Sequence, residues 1–106
     1  MTPELNSIDR VGVVGAGTMG SGIAQVAATS GYDVVMRDIE ETYVENGFET
    51  VAESLERLVR NDTLTDSEAA AIEDRIVGTT ELDDLSNCDL IVEAALEEID
   101  VKRDIF

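Results

Sequence analysis

The 106 residues carry 7 basic and 24 acidic side chains, a formal net charge of −17, with no histidine and a single cysteine, Cys88. That length supports one small domain, and a 43% hydrophobic fraction is enough to give it a core. The acidity excludes a phosphate-neutralising nucleic-acid surface and docking on an anionic membrane. The missing histidines exclude an ordinary zinc site and histidine-based catalysis, so these residues are assigned no metal and no catalytic side chain.

One cysteine cannot close a disulfide within the chain. No apolar run reaches transmembrane length, and Met1-Thr2-Pro3-Glu4 does not read as a secretory leader, so a cytoplasmic protein is expected. Lys102 is the only lysine, and the acids are spread along the chain rather than gathered in a tail. Such a surface reads as one adapted to concentrated salt, where counterions screen self-repulsion; an ordinary acidic cytosolic protein is the alternative.

Residues 1–9 are polar and read as a flexible arm, leaving 10–106 as one domain. Arg10-Val11-Gly12-Val13-Val14 is a short apolar run that meets Gly15, the pattern of a buried strand. Residues 18–30 place Met19, Ile23, Val26 and Ala27 at helical spacing, and Gly31 stops the helix. Val34, Val35 and Met36 mark a second buried strand over 33–37. From 40 to 60, Val44, Phe48, Val51, Leu55 and Leu58 keep helical period, with glutamates on a solvated face and Arg57 and Arg60 at the negative end of the dipole. Thr65-Asp66-Ser67-Glu68 is a capping-box pattern that starts a short helix running to 74. A third strand is expected over 75–80, a turn or single helical turn over 83–86, and a fourth strand over 88–93, where Cys88 is a buried structural residue. Residues 99–106 are expected to begin a further helix.

Strands alternating with helices imply a parallel sheet with right-handed crossovers. The fold expected is α/β, a Rossmann-type doubly wound parallel sheet truncated to its first four strands in the order 3-2-1-4, with the fourth strand an open edge.

Gly15-Ala16-Gly17-Thr18-Met19-Gly20 is a G-x-G-x-x-G run that follows a strand and opens a helix, the context in which it binds a dinucleotide. Gly15 permits the tight turn, Gly17 the close approach of a pyrophosphate, and Gly20 the packing of helix on strand. Backbone N–H groups and the helix dipole then hold an anion without any cationic side chain. Asp38 ends the second strand, 18 residues after Gly20, where a carboxylate accepts the adenosine ribose hydroxyls and repels a 2′-phosphate. Arg37 precedes it, but alternation along the strand aims the arginine elsewhere. The cofactor expected is therefore NAD rather than NADP, and the aspartate weakens an FAD reading. The bland alternative for Asp38 is that it caps the next helix.

The run Gly15-Ala16-Gly17-Thr18-Met19-Gly20-Ser21-Gly22-Ile23-Ala24-Gln25 resembles the opening of the 3-hydroxyacyl-CoA dehydrogenases. The likeness continues through Gly31, Val34, Asp38, the long helix, Ile91-Val92-Glu93-Ala94, Glu97, Val101-Lys102 and Ile105-Phe106, nearly the whole chain after residue 9. It implies that Gly15 to Gly20 (Gly15, Ala16, Gly17, Thr18, Met19, Gly20) cradle the NAD pyrophosphate and that Asp38 holds the ribose. It further implies that Glu97 and Lys102 contact NAD near its nicotinamide half. Ser54 matches a family position that contacts coenzyme A, although the lysine that follows it in the family is Asn61 here.

The reaction implied is hydride transfer between C3 of a 3-hydroxyacyl-CoA, such as 3-hydroxybutyryl-CoA, and nicotinamide. The family's histidine base and helical C-terminal domain correspond to nothing in these residues. The chain is accordingly expected to be the NAD-binding portion of such an enzyme. It should be inactive by itself, act on an acyl-CoA when part of a full-length protein, and form a homodimer there. A non-enzymatic NAD-binding module and a sugar-acid dehydrogenase of the same fold are the competing readings.

Overall fold

The computed structural model of the chain describes residues 8–94 and the backbone of Ile99–Arg103. In chain order the elements are β1 (Arg10–Val14), α1 (Thr18–Thr29), β2 (Asp33–Arg37), α2 (Glu41–Arg60), α3 (Asp66–Asp74), β3 (Ile76–Thr79), a 3-10 turn (Leu82–Leu85), β4 (Leu90–Ala94) and β5 (Ile99–Arg103). They form one sheet in the order β3-β2-β1-β4-β5. The first four strands are parallel, and β1 is central, with Val13 opposite both Met36 and Val92. The expected order 3-2-1-4 is therefore present.

Alternation along the strands divides the core. Val11, Val13, Val34, Met36, Ile76 and Val92 face one side and pack under Ala24 and Ala28 of α1, Val51 and Leu55 of α2, and Ile72 of α3. On the other side Val35 meets Leu85 and Cys88, with Val14 and Ile91 beside them. Cys88 is 2% exposed, as its structural reading requires. Burial of this apolar area, roughly 25 cal/mol per Å2, is the main force holding helices to sheet. The capping box forms: Thr65 accepts from the Glu68 N–H at 3.1 Å, and Glu68 accepts from the Thr65 N–H at 2.8 Å.

One element differs in kind from the expectation. Residues 99–103 are not the start of a helix but a strand, antiparallel to β4, with Ala94 opposite Ile99 and Leu90 opposite Arg103. Ile99 and Val101 are β-branched and alternate with Asp100 and Lys102, a period of two that competes with any helical reading. The edge of β4 supplies the unpaired N–H and C=O groups that such a segment completes. β4 is thus not an open edge: among the described residues a fifth, antiparallel strand joins the expected four.

Of the expected N-terminal arm, residues 1–7 lie outside the described residues. Ile8 packs on the main core, and the Asp9 carbonyl accepts from the Asp33 N–H at 3.1 Å. The Asp89 carboxylate accepts from the N–H groups of Asp9 and Arg10, at 2.9 and 3.1 Å, and so fastens the start of β1 to the turn before β4. These bonds, the Asp9 one first, hold the Asp89 carboxyl below its ordinary 3.8. A depressed value means stability that is present above pH 3.8 and lost as the pH falls through the folded-state value. Asp89→Asn is expected to lower the melting temperature at neutral pH, with the gap to wild type closing below pH 3.8. A gap that stays constant in a melting series across that range would deny the carboxylate this role.

Candidate functional site

The site lies at the carboxyl ends of β1 and β2, where the chain leaves the sheet. Gly15 turns at φ +113°, a conformation that favours glycine, and its N–H donates to the Arg37 carbonyl at 2.7 Å. A Cβ at Gly15 would also lie 2.7 Å from the Ala94 carbonyl oxygen. The next N–H, of buried Ala16, donates to Asp38 Oδ2 at 2.9 Å. Asp38 Oδ1 accepts from the Ile39 N–H at 2.7 Å. Asp38 is thereby fixed against the glycine turn, with a carboxylate oxygen able to take further donors. It does not cap the next helix: the residue before α2 is Glu40, which makes no side-chain cap bond.

Gly17 is the residue before α1, and its side contributes no capping oxygen. A Cβ there would meet nothing within 4 Å, so the space over the turn is open. The first N–H bonded within the helix is that of Ser21, to the Gly17 carbonyl at 2.8 Å. The N–H groups ahead of it have no carbonyl partner within the helix and stand at the positive end of its dipole. Acidic residues occupy the first turns of α2, of α3 and of the 3-10 turn, but not that of α1. In a chain with 24 acidic residues this leaves, among the described residues, one helix start at which an anion meets no carboxylate from the first turn. A pyrophosphate and a ribose therefore fit this cradle: donors without side chains on one flank, a fixed carboxylate on the other.

A family model for the NAD-binding domain of 3-hydroxyacyl-CoA dehydrogenases matches residues 10–106. The chain belongs to this family. NAD is the cofactor of its domain. A 3-hydroxybutyryl-CoA dehydrogenase of Bradyrhizobium diazoefficiens is 44% identical over 99 residues, covering 93% of this chain and 34% of that protein. One from Mycobacterium tuberculosis is 42% identical over 101 residues, covering 95% of this chain and 35% of that protein. The crystal structure of (S)-3-hydroxybutyryl-CoA dehydrogenase from Ralstonia eutropha superposes with a TM-score of 0.84 at 50% identity, covering 87% of this chain and 32% of that one. The chain thus spans about a third of the length of the relatives it matches.

Of the residues that the resemblance to 3-hydroxyacyl-CoA dehydrogenases singles out, the structure brings Gly15 to Gly20 and Asp38 together. Ser54 and the backbone of Lys102 stand apart from them. Ser54 is half-buried on α2, and its side chain makes no hydrogen bond among the described residues. Lys102 stands opposite Ile91 in β5, roughly 10 Å short of the carboxyl end of β4. Glu97 lies outside the described residues.

One contributor is absent from the motif. A Cβ on Gly47 of α2 would lie 2.8 Å from the Ala16 carbonyl oxygen and 3.0 Å from Met36 Cε. The long helix presses directly on the glycine turn at that point. The signal was a glycine on the buried stripe of a helix, where it costs about 1 kcal/mol and calls for a close approach to explain it.

A groove of about 610 Å3 beside α1, lined by Val11, Ile23, Val26 and Leu90 among others, holds no charged side chain. Its apolar lining suits packing, and it shares Thr18 and Met19 with the glycine turn.

Proposed function

We propose that this chain binds NAD at the glycine turn and Asp38 and forms the nucleotide-binding part of an enzyme that oxidises the C3 hydroxyl of a 3-hydroxyacyl-CoA, with 3-hydroxybutyryl-CoA the nearest substrate. The observation that carries the reading is the 2.9 Å bond from the Ala16 N–H to Asp38 Oδ2, which makes the phosphate turn and the ribose carboxylate one site. Bound NAD supplies the hydride acceptor. Gly17 to Gly20 hold the pyrophosphate by backbone N–H groups, and Asp38 accepts the ribose hydroxyls and repels a 2′-phosphate.

The chain has no histidine, so it supplies no imidazole base and by itself turns over nothing. The acyl-CoA pocket, the base and a homodimer interface belong to a full-length protein. Acetoacetyl-CoA offered against L-gulonate to that protein separates an acyl-CoA dehydrogenase from a sugar-acid dehydrogenase, and reaction with L-gulonate alone would overturn the proposal.

Calorimetric titration of the chain with NAD and then NADP, in molar KCl, tests the site. NAD should bind at least about tenfold tighter, a difference of ~1.4 kcal/mol. Equal affinities would remove Asp38 from the ribose. Asp38→Ala should weaken NAD by about 1.5–3 kcal/mol, the scale of hydrogen bonds to a charged group. Unchanged affinity in that variant would rule the carboxylate out.

The net charge of −17 further supports a cytoplasm rich in salt as the working medium. Carboxylates crowded on so small a surface repel one another, and screening shortens that repulsion to about 3 Å at 1 M salt. The melting temperature is expected to climb steadily between 0.1 and 2 M KCl. A flat or falling curve would identify an ordinary acidic protein instead.

A further inference from the structure

Arg37 stands beside the ribose carboxylate, yet its side chain is engaged elsewhere. Its Nε donates to the Thr80 carbonyl at 3.0 Å in a half-buried position. Its own carbonyl accepts the Gly15 N–H at 2.7 Å, and the neighbouring Asp38 N–H donates to the Thr79 carbonyl at 3.2 Å. The end of β2 is therefore stitched to the glycine turn on one side and to the turn after β3 on the other. That second turn is closed on itself by the Thr79 hydroxyl, which bonds the Asp84 carboxylate and accepts from the Glu81 N–H at 3.0 Å. It carries Glu81, Asp83 and Asp84, all exposed, and their field favours a cation that stays.

Among the described residues no other basic side chain is near this end of the sheet. Arg10 and Arg75 stand at the amino ends of β1 and β3, and Arg75 donates to the Ala28 carbonyl at 2.7 Å. Arg57 and Arg60 close α2, roughly 25 Å along the helix from its start.

We infer that Arg37 is a positioning residue, which holds Asp38 in ribose-binding geometry by anchoring β2 to the Thr80 turn and is thereby withdrawn from phosphate recognition. The inference rests on the NAD site proposed above. Cofactor choice then has two parts, the carboxylate that repels a 2′-phosphate and the lack, among the described residues, of a free cation to receive one. Removing the first does not create an NADP site. Adding a cation at Ile39, which adjoins Asp38 and is 67% exposed, does.

The test is calorimetry with NAD and NADP on the whole chain, in molar KCl. Wild type is compared with Arg37→Met, Arg37→Lys, Asp38→Ser, and Asp38→Ser combined with either Arg37→Met or Ile39→Arg. Asp38→Ser should bind both cofactors at least about tenfold more weakly than wild type binds NAD. Adding Arg37→Met should leave its NADP affinity within about threefold, whereas adding Ile39→Arg should raise it at least about tenfold. Arg37→Met alone should weaken NAD, and Arg37→Lys, which can still donate to the Thr80 carbonyl, should restore part of the loss.

The inference is overturned if Asp38→Ser gains NADP and Arg37→Met then abolishes the gain, because the guanidinium would have swung to the phosphate. It is equally overturned if Asp38→Ser alone matches the Ile39→Arg combination, a comparison that stands even where Arg37→Met fails to fold. Wild type that binds no NAD would overturn the site itself, and the Arg37 inference with it.

Discussion

A Gly17→Val chain is expected to fold as wild type does and to bind NAD at least about 100-fold more weakly, a loss of ~2.7 kcal/mol. The two halves of that expectation come from the same observation. Gly17 sits at φ −73°, ψ −165°, an extended conformation open to any residue, and a Cβ there meets no atom within 4 Å. Nothing in the folded chain resists a side chain. Replacing glycine at the residue before a helix with a β-branched residue costs about 1 kcal/mol or less, since valine is a poor cap. The space that the valine fills is the space through which a pyrophosphate must come to reach the N–H groups at the start of α1. A ligand without phosphates should not notice: adenosine, held at Asp38, should bind wild type and variant alike. Far-UV circular dichroism and melting check the fold, and calorimetry checks the ligand. NAD affinity within threefold of wild type, in a folded variant, would show that the phosphates do not pass over Gly17.

The motif was legible because its chemistry is local. A glycine run between a strand and a helix needs no tertiary information to be read, and Asp38 is fixed by where the second strand ends. The strand order followed from alternation and the handedness of crossovers. What could not be read was whatever depends on contacts between distant segments. That Asp38 accepts the Ala16 N–H across 22 positions is a property of the packed sheet, as is the bond from Arg37 to Thr80 across 43. Alternation said that Arg37 points away from the ribose; it could not say to what.

Gly47 gives little signal, because an apolar period defines the long helix and a glycine is silent in it. Residues 99–103 are ambiguous in sequence for a related reason. Five residues with two β-branched positions fit a strand or a helix start about equally, and the free edge of β4 decided between them. Glu97 follows the fourth strand, at the end of the sheet where ligands sit, and Lys102 is the single lysine beside 24 acids, but neither signal fixes a side chain.

Gly20→Ala and Gly22→Ala are the same substitution two residues apart in one helix, and they are expected to have opposite signs. Alanine in place of glycine inside a helix ordinarily stabilises by about 1 kcal/mol, because it restricts the unfolded chain and suits the helix. At Gly22 nothing lies within 4 Å of the new Cβ, so that gain should appear in full, as a rise of roughly 5 °C in melting temperature. At Gly20 the new Cβ would lie 1.8 Å from the Gly15 carbonyl oxygen. That atom belongs to backbone, and to a turn held on its other flank by the Arg37 carbonyl, so no rotamer relieves the clash. α1 must lift off β1 by roughly 1 Å. Ala24, Ala28 and Ser21, each 0% exposed, would lose contact in doing so. Overpacking of this kind costs about 3 kcal/mol, and subtracting the helical gain leaves a net loss of ~2. The melting temperature should fall by roughly 10 °C. NAD affinity should fall with it, because the displaced helix carries the N–H groups that hold the phosphates. If Gly20→Ala melted at or above wild type, the close approach of helix to strand at that glycine would be wrong, and with it the geometry from which the phosphate site is built.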